Sequence, residues 1–191
     1  MSFDSAQIAA LDDTRHILGV RIGGIQEVNH TAEHHIGSRG KVIMSTNIVR
    51  LHRVLRATPE RIYRAFLEAD AMAKWLPPNG FTGKVHEMDA RVGGGHKMSF
   101  TNFTTGKSHS FGGKYIELVP NERIRYTDTF DDANLPGEMQ VSITLKEVSC
   151  GTELNVVQEG VPDVIPAEAC YLGWQESLVL LAKLVEAEIP D

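Results

Sequence analysis

Apolar and polar side chains alternate with a period of two along seven segments after residue 46, as expected for strands with one buried face. Turn signals containing Gly, Pro or Asn separate these segments at intervals of about 10–14 residues. No helical pattern interrupts the last six, so we expect antiparallel pairing between them. The predicted strands cover 47–55, 81–89, 97–103, 108–118, 123–130, 138–148 and 153–160.

Helical patterns occur after the first predicted strand and after the last one. Thr58-Pro59-Glu60 begins a helix, because it offers an N-cap hydroxyl, a proline at the first helical position and an acid near the positive dipole end. A second short helix from Asp70 to Trp75 ends before Pro77-Pro78. The long C-terminal helix is predicted from Pro166 to about Glu188. Its apolar stripe consists of Trp174, Leu178, Leu181 and Val185.

The order of these elements, β-α-α-β-β-β-β-β-β-α, predicts an α+β helix-grip fold. A curved antiparallel sheet of six or seven strands would wrap around the long C-terminal helix. That helix would extend roughly 30 Å and cover the apolar face of the sheet. A strongly bent sheet closed by one helix leaves space between them, which is a common place for a small-ligand cavity.

Residues 1–43 have a different pattern, because several glycines interrupt their apolar positions and no long period is present. Met44-Ser45-Thr46-Asn47 is a plausible second translation start. We therefore expect 1–43 to be a poorly ordered extension or a misassigned start, and 44–191 to form the domain.

Composition and charge exclude several classes of function. The net charge is −6 without a run of Lys or Arg, which argues against nucleic acid or an anionic membrane as the main partner. The two cysteines, Cys150 and Cys170, cannot build a disulfide framework and indicate a reduced, cytoplasmic protein. No apolar stretch is long enough to cross a membrane. Gly93-Gly94-Gly95 lacks the Lys-Ser/Thr ending of a phosphate-binding loop, so we expect no cofactor.

Four sequence segments resemble one protein family in their order and spacing. They are VRLHRVLRATPERIYRAFLEADAMAKWL at 49–76, DARVGG at 89–94, FGGKYIELVPNERIRYTDTF at 111–130 and YLGWQESLVLLAKLVE at 171–186. Over residues 46–189 the chain resembles the activator-of-heat-shock-protein-90-ATPase homologues of the START-like (SRPBCC) superfamily. The resemblance implies the helix-grip fold, a ligand-binding cavity and a role in the stress response. A fold of this kind does not by itself define a function.

One face of each strand and the stripe of the long helix should line the cavity. The expected lining residues are Trp75, Phe81, Met98, Phe100, Phe111, Ile124, Tyr126, Asp128, Phe130, Met139, Val141, Ile143, Tyr171, Trp174 and Leu178. This assignment depends on strict alternation, because a single bulge reverses the faces of a strand. A cavity with this composition favours a small apolar or amphipathic ligand.

A few side chains are candidates for chemistry. Asp128 could orient a ligand or act as a base, and His109 and Glu159 could join it in a cyclase, hydratase or isomerase. His30, His34 and His35 have a spacing that could chelate a metal, but without a further ligand nearby we interpret them as surface residues and expect no metal site. The leading hypothesis is a non-enzymatic ligand-binding protein. The alternatives are a chaperone-interacting protein and the enzyme just described, and a homodimer through sheet edges is compatible with each.

Overall fold

The computed structural model describes residues 47–189, so the interpretation of 1–43 as an extension lies outside the described residues. The elements of this part are β1 (Val49–Leu55), α1 (Pro59–Ala65), α2 (Ala69–Trp75), β2 (Phe81–Met88), β3 (Gly95–Asn102), β4 (Ser108–Val119), β5 (Arg123–Phe130), β6 (Met139–Val148), β7 (Gly151–Glu159) and α3 (Ala167–Val185).

All seven strands form one antiparallel sheet with the order β1-β7-β6-β5-β4-β3-β2. Strands β2 to β7 pair with their chain neighbours, and β1 pairs with β7 at the far edge. The helices α1 and α2 therefore carry the chain from one edge of the sheet to the other. This arrangement confirms the predicted α+β helix-grip fold and the predicted order of elements, and it sets the number of strands at seven.

Irregular pairing gives the sheet its curvature. The register shifts once in β2, between Val85 and Glu87, and once in β4, between Tyr115 and Glu117. Shifts of this kind bend a strand and increase its twist. Because of this curvature, the inner face of the sheet can surround α3.

The core lies between this inner face and α3. The predicted stripe of α3 is buried from Trp174 to Val185, as expected for a helix held inside a curved sheet. Trp75 of α2 is fully buried, and its Nε1 donates a hydrogen bond to the carbonyl of Ala65 at 2.8 Å. Thr58 is the N-cap of α1, as predicted, and its hydroxyl accepts from the amide of Arg61 at 3.4 Å. The hydrogen bond from Trp75 joins α2 to α1, and the hydroxyl of Ser177 joins α3 to the end of α2 through the carbonyl of Leu76 at 2.6 Å.

Candidate functional site

A cavity of about 110 Å³ lies between the inner face of the sheet and the first half of α3. Its walls are mostly apolar and include rings from β3, β4, β5 and α3. The aromatic residues at the cavity are Phe100, Phe111, Tyr126, Phe130 and Trp174. Aliphatic residues from the loop after α2, from β6 and from the loop before α3 complete the apolar wall. They are Leu76, Pro78, Met139, Val141, Val161 and Ile165.

The structure brings together only part of the predicted lining set at this cavity. The predicted residues that line it are Phe100, Phe111, Tyr126, Asp128, Phe130, Met139, Val141 and Trp174. Others point inward but lie in the packed core beyond the cavity, namely Trp75, Met98, Ile124, Ile143 and Leu178. Phe81 is half-buried beside Phe100, with 6.5 Å between the ring centroids.

Tyr171 lies away from the cavity and is 39% exposed. Tyr171 lies about 60° around the helix from Trp174, at the edge of the buried face, where its side chain reaches solvent. The predicted strand residues that lie away from the cavity do so for another reason. Alternation along a strand gives the face of a side chain but not its distance from the end of the sheet where the cavity opens.

A buried His–Asp pair lies at the wall of the cavity, where Asp128 is a lining residue. Nε2 of His96 lies 2.8 Å from Oδ1 of Asp128, and the two side chains are 2% and 9% exposed. His96 lies on β3 and pairs with Gly113 on β4, and the register of β4 with β5 places Gly113 beside Asp128. Because Gly113 has no side chain, His96 and Asp128 can meet across the strand between them.

Burial controls the electrostatics of this pair. Desolvation raises the pKa of the Asp128 carboxyl, and the hydrogen bond from His96 opposes part of this rise. The rings of Tyr115 and Tyr126 pack against the imidazole, with centroids 5.3 and 5.2 Å away. Burial also raises the pKa of both tyrosines, and the charge of Asp128 adds to that effect. Asp128 lines the cavity, whereas His96 stands behind it.

A second polar group, the carboxamide of Gln158 on β7, holds α3 in place. Its Oε1 accepts from Nε1 of Trp174 at 2.6 Å and from Sγ of Cys170 at 3.2 Å. Its Nε2 donates to Sδ of Met139 at 3.1 Å. Burial raises the pKa of the Cys170 thiol to about 12, which keeps this thiol protonated and poorly nucleophilic.

Sequence reasoning missed both His96 and Gln158. The signal was present, since His96 stands two positions before Met98 on a strand whose inward face was assigned through Met98 and Phe100. In the same way, Gln158 follows the buried Val156 by two residues on β7. For Gln158 the clue was a polar residue on the apolar face of a predicted strand. His96 continues the same alternation but lies one position before the strand predicted at 97–103, because the observed strand begins at Gly95.

The predicted trio of Asp128, His109 and Glu159 does not converge on one point. Glu159 follows the inward Gln158 and therefore points to the outer face of the sheet. His109 pairs with Phe100 on the inner face, but it is half-buried and does not line the cavity. The hydrogen-bond partner of Asp128 is His96 instead. The enzyme hypothesis required the three side chains to meet, so this arrangement removes its stated basis.

Within residues 47–189, no group of His, Cys, Asp and Glu side chains is arranged to hold a metal ion. The histidines at 30, 34 and 35 lie outside these residues. None of the helices in the described part of the chain is long and apolar enough to cross a membrane.

The chain is similar to several proteins of known structure. A protein from Chromobacterium violaceum is 65% identical, with coverage of 74% of this chain and 99% of that one and a TM-score of 0.74. Proteins from Rhodobacter sphaeroides (24% identity, 71% and 90% coverage, TM-score 0.62) and Mycobacterium smegmatis (18% identity, 80% and 99% coverage, TM-score 0.61) share the fold. No curated protein matches the chain.

A sequence model of one family covers most of the folded part. The family is described as Activator of Hsp90 ATPase homolog 1-like protein, and its model matches residues 56–186. This range includes both short helices, β2 to β7 and the whole of α3. The chain therefore belongs to the family of Activator of Hsp90 ATPase homolog 1-like proteins.

Proposed function

We propose that this protein binds a small apolar or amphipathic molecule in the cavity between the sheet and α3. The observation that supports the proposal is the cavity itself, which has apolar walls and only a few polar groups. Its volume of about 110 Å³ is of the order of the roughly 150 Å³ cavity that accepts benzene in an engineered protein. A ligand of about one ring therefore suits this conformation.

The apolar walls alone would hold such a ligand weakly. A buried ring removes roughly 200 Å² of apolar surface from water, which contributes about 5 kcal/mol. The loss of translational and rotational freedom on binding costs about as much. Polar contacts at the cavity must therefore supply much of the net affinity and the specificity.

The experiment is a titration of the full-length chain with benzene, monitored by NMR. We expect the amide and methyl signals of residues around Val141, Val161 and Ile165 to shift and then to saturate. Gly173→Leu should abolish the shifts, because no atom lies within 4 Å of a Cβ at this position and a leucine side chain would fill the space. Leu172→Ala, on the exposed side of the same helix, is the matched control and should bind as the wild type does.

Two results would contradict the proposal. One is an absence of any shift in the wild type near the solubility limit of benzene. The other is equal binding by Gly173→Leu, which would place the ligand elsewhere. If the wild type binds benzene, native mass spectrometry of the full-length chain would identify any natural ligand. We expect Gly173→Leu to lose the species that the wild type carries.

A second candidate function is contact with an Hsp90-type chaperone, and the family match favours it because the family description names activation of the Hsp90 ATPase. The measurement is the ATPase rate of such a chaperone with saturating amounts of this protein. A rise in the rate would support the contact. An unchanged rate would remove this candidate and leave the ligand-binding proposal unaffected.

A further inference from the structure

The cavity is apolar over most of its surface and has a few polar groups in its lining. Besides Tyr126 and Trp174, four lining side chains carry polar atoms or a thiol, and most of their hydrogen-bonding capacity is already used. They are Asp128, Gln158, Cys170 and Ser177. The hydrogen-bonding capacity that remains open determines what kind of ligand can bind in the cavity.

Two of these groups are occupied by contacts that hold the fold together. Oε1 of Gln158 already accepts from Trp174 and Cys170. The hydroxyl of Ser177 lies 2.6 Å from the carbonyl oxygen of Leu76, to which it donates. Any ligand group that took over these atoms would have to break a contact between α3 and its surroundings.

Asp128 differs from them, because only one of its two oxygens is engaged. Within residues 47–189, the side chain of Asp128 makes a single hydrogen bond, between Oδ1 and His96. Its carboxyl lies at the cavity wall. A carboxylate accepts at both oxygens, so Oδ2 is a free acceptor at the cavity.

The surroundings of His96 indicate the direction of its hydrogen bond. Its Nδ1 is buried without a partner among the described residues. A buried N–H without a partner is rarer and more costly than a buried lone pair, so Nδ1 is the unprotonated nitrogen. Nε2 therefore carries the hydrogen and donates it to Asp128. This bond fixes the orientation of the carboxyl and leaves Oδ2 as an acceptor.

We propose that the ligand has a single-ring apolar body with one hydroxyl or amine, and that Oδ2 of Asp128 accepts the hydrogen bond from this group. The inference rests on the proposed function, because it needs a ligand in the cavity. His96 is a positioning residue in this arrangement. It orients the carboxyl from behind and does not touch the ligand.

The test compares phenol, aniline and toluene, which have the same number of heavy atoms and differ in the donor. Dissociation constants are measured on the full-length wild type and on Asp128→Asn. In the variant, His96 should hold the amide oxygen, so that the amide N–H₂ points to the cavity and repels a ligand donor. The measured quantity is the ratio of the toluene dissociation constant to the phenol dissociation constant in each protein. Because the free ligands are the same in both experiments, their different hydration affects both ratios equally and does not affect the comparison.

We expect this ratio to fall at least about tenfold in Asp128→Asn, because a hydrogen bond to a charged acceptor is among the stronger ones in proteins. The ratio of toluene to aniline dissociation constants should fall by a similar factor. Asp131→Asn is the control, since it removes a carboxylate three positions away whose side chain is 55% exposed, and its ratio should equal that of the wild type. Equal ratios in the wild type and in Asp128→Asn would overturn the inference.

Binding of toluene separates this inference from the proposed function. Toluene needs only the apolar walls, so failure of all three probes in the wild type would refute the binding function itself. Toluene binding with unchanged ratios would leave that function intact and refute only the role of Asp128. If Asp128→Asn does not fold, a measurement on the wild type still tests the inference. Phenol should shift the ¹³Cγ signal of Asp128 in the NMR spectrum, and toluene should not. Equal shifts with the two ligands would overturn the inference.

Discussion

Replacing Gly173 by alanine should make this protein more stable and less able to bind a ligand. Gly173 lies inside α3, at the cavity, and a Cβ built on it meets no atom within 4 Å. The added methyl group would therefore enter empty space, and no neighbouring atom would have to move.

The magnitude follows from two contributions. Glycine in a helix interior costs about 0.8–1.0 kcal/mol relative to alanine. A methyl group that becomes buried adds about 0.8 kcal/mol when it contacts its surroundings well. Gly173→Ala should therefore raise the free energy of unfolding by ~1–2 kcal/mol, and the melting temperature by about 2–4 °C for each kcal/mol in a chain of this size.

Gly113 provides a matched comparison, because the same substitution there should have the opposite effect. A Cβ at Gly113 would lie 1.9 Å from the carbonyl oxygen of Thr127, in the neighbouring strand. Backbone cannot rotate away from a clash as a side chain can, so β4 and β5 would have to separate. Forcing extra atoms into a packed region typically costs 1–3 kcal/mol, and we expect at least about 2 kcal/mol here.

Urea denaturation of the full-length chain, followed by circular dichroism, measures both changes. Binding of benzene measured by NMR should weaken in Gly173→Ala, because the methyl group takes part of the space. A destabilised Gly173→Ala would refute the reasoning, since it would show that the space is not open. A neutral Gly113→Ala would refute the argument that the close approach of β4 to the backbone of Thr127 requires a glycine at this position.

Two further predictions concern buried titratable groups. Burial raises the pKa of Asp128, against the opposing hydrogen bond of His96, so the folded state holds this proton more tightly than the unfolded state. The stability from this group is present below the unfolded pKa of about 3.9 and is lost as the pH rises through the folded pKa. Unfolding free energies from acid to neutral pH should therefore fall more steeply for the wild type than for Asp128→Asn, and parallel curves would contradict this. The exposed Cys150 should react with iodoacetamide at pH 8 in the folded protein, whereas the buried Cys170, whose pKa is raised to about 12, should react only on unfolding; mass spectrometry that finds equal rates would refute this.

The fold could be predicted from the sequence because each of its elements has a strong local signal. The period-two pattern identified the strands, and the stripe from Trp174 to Val185 identified the face of α3 that is now seen to be buried. The N-cap at Thr58 and the prolines after α2 gave the ends of the short helices. These signals depend on neighbouring residues, so a single sequence contains them.

The site could be predicted only in part, because it depends on distances between strands. Alternation correctly predicted that Ile124 and Ile143 point inward, but both side chains lie in the filled part of the core and not at the cavity. Asp128 was singled out, but its partner was expected in His109 or Glu159. The true partner is His96 on β3, which is brought near by the pairing of three strands across Gly113. Such a meeting depends on register, and register is set by bulges that the sequence pattern does not reveal.

Several unfavourable features of the described residues lie at the cavity or directly beside it. Gly173 weakens α3 there, the carboxyl of Asp128 is desolvated there, and Nδ1 of His96 has no partner among the described residues. A carboxyl group that is taken out of water costs free energy unless its partners compensate fully, so stability alone does not favour a buried Asp128. Away from the cavity the core packs without such features. Ile143 and Leu181 are completely buried there against apolar neighbours. Local departures from good packing tend to collect at functional sites. On these energetic grounds, the cavity end rather than the outer surface of the sheet is where function should be sought.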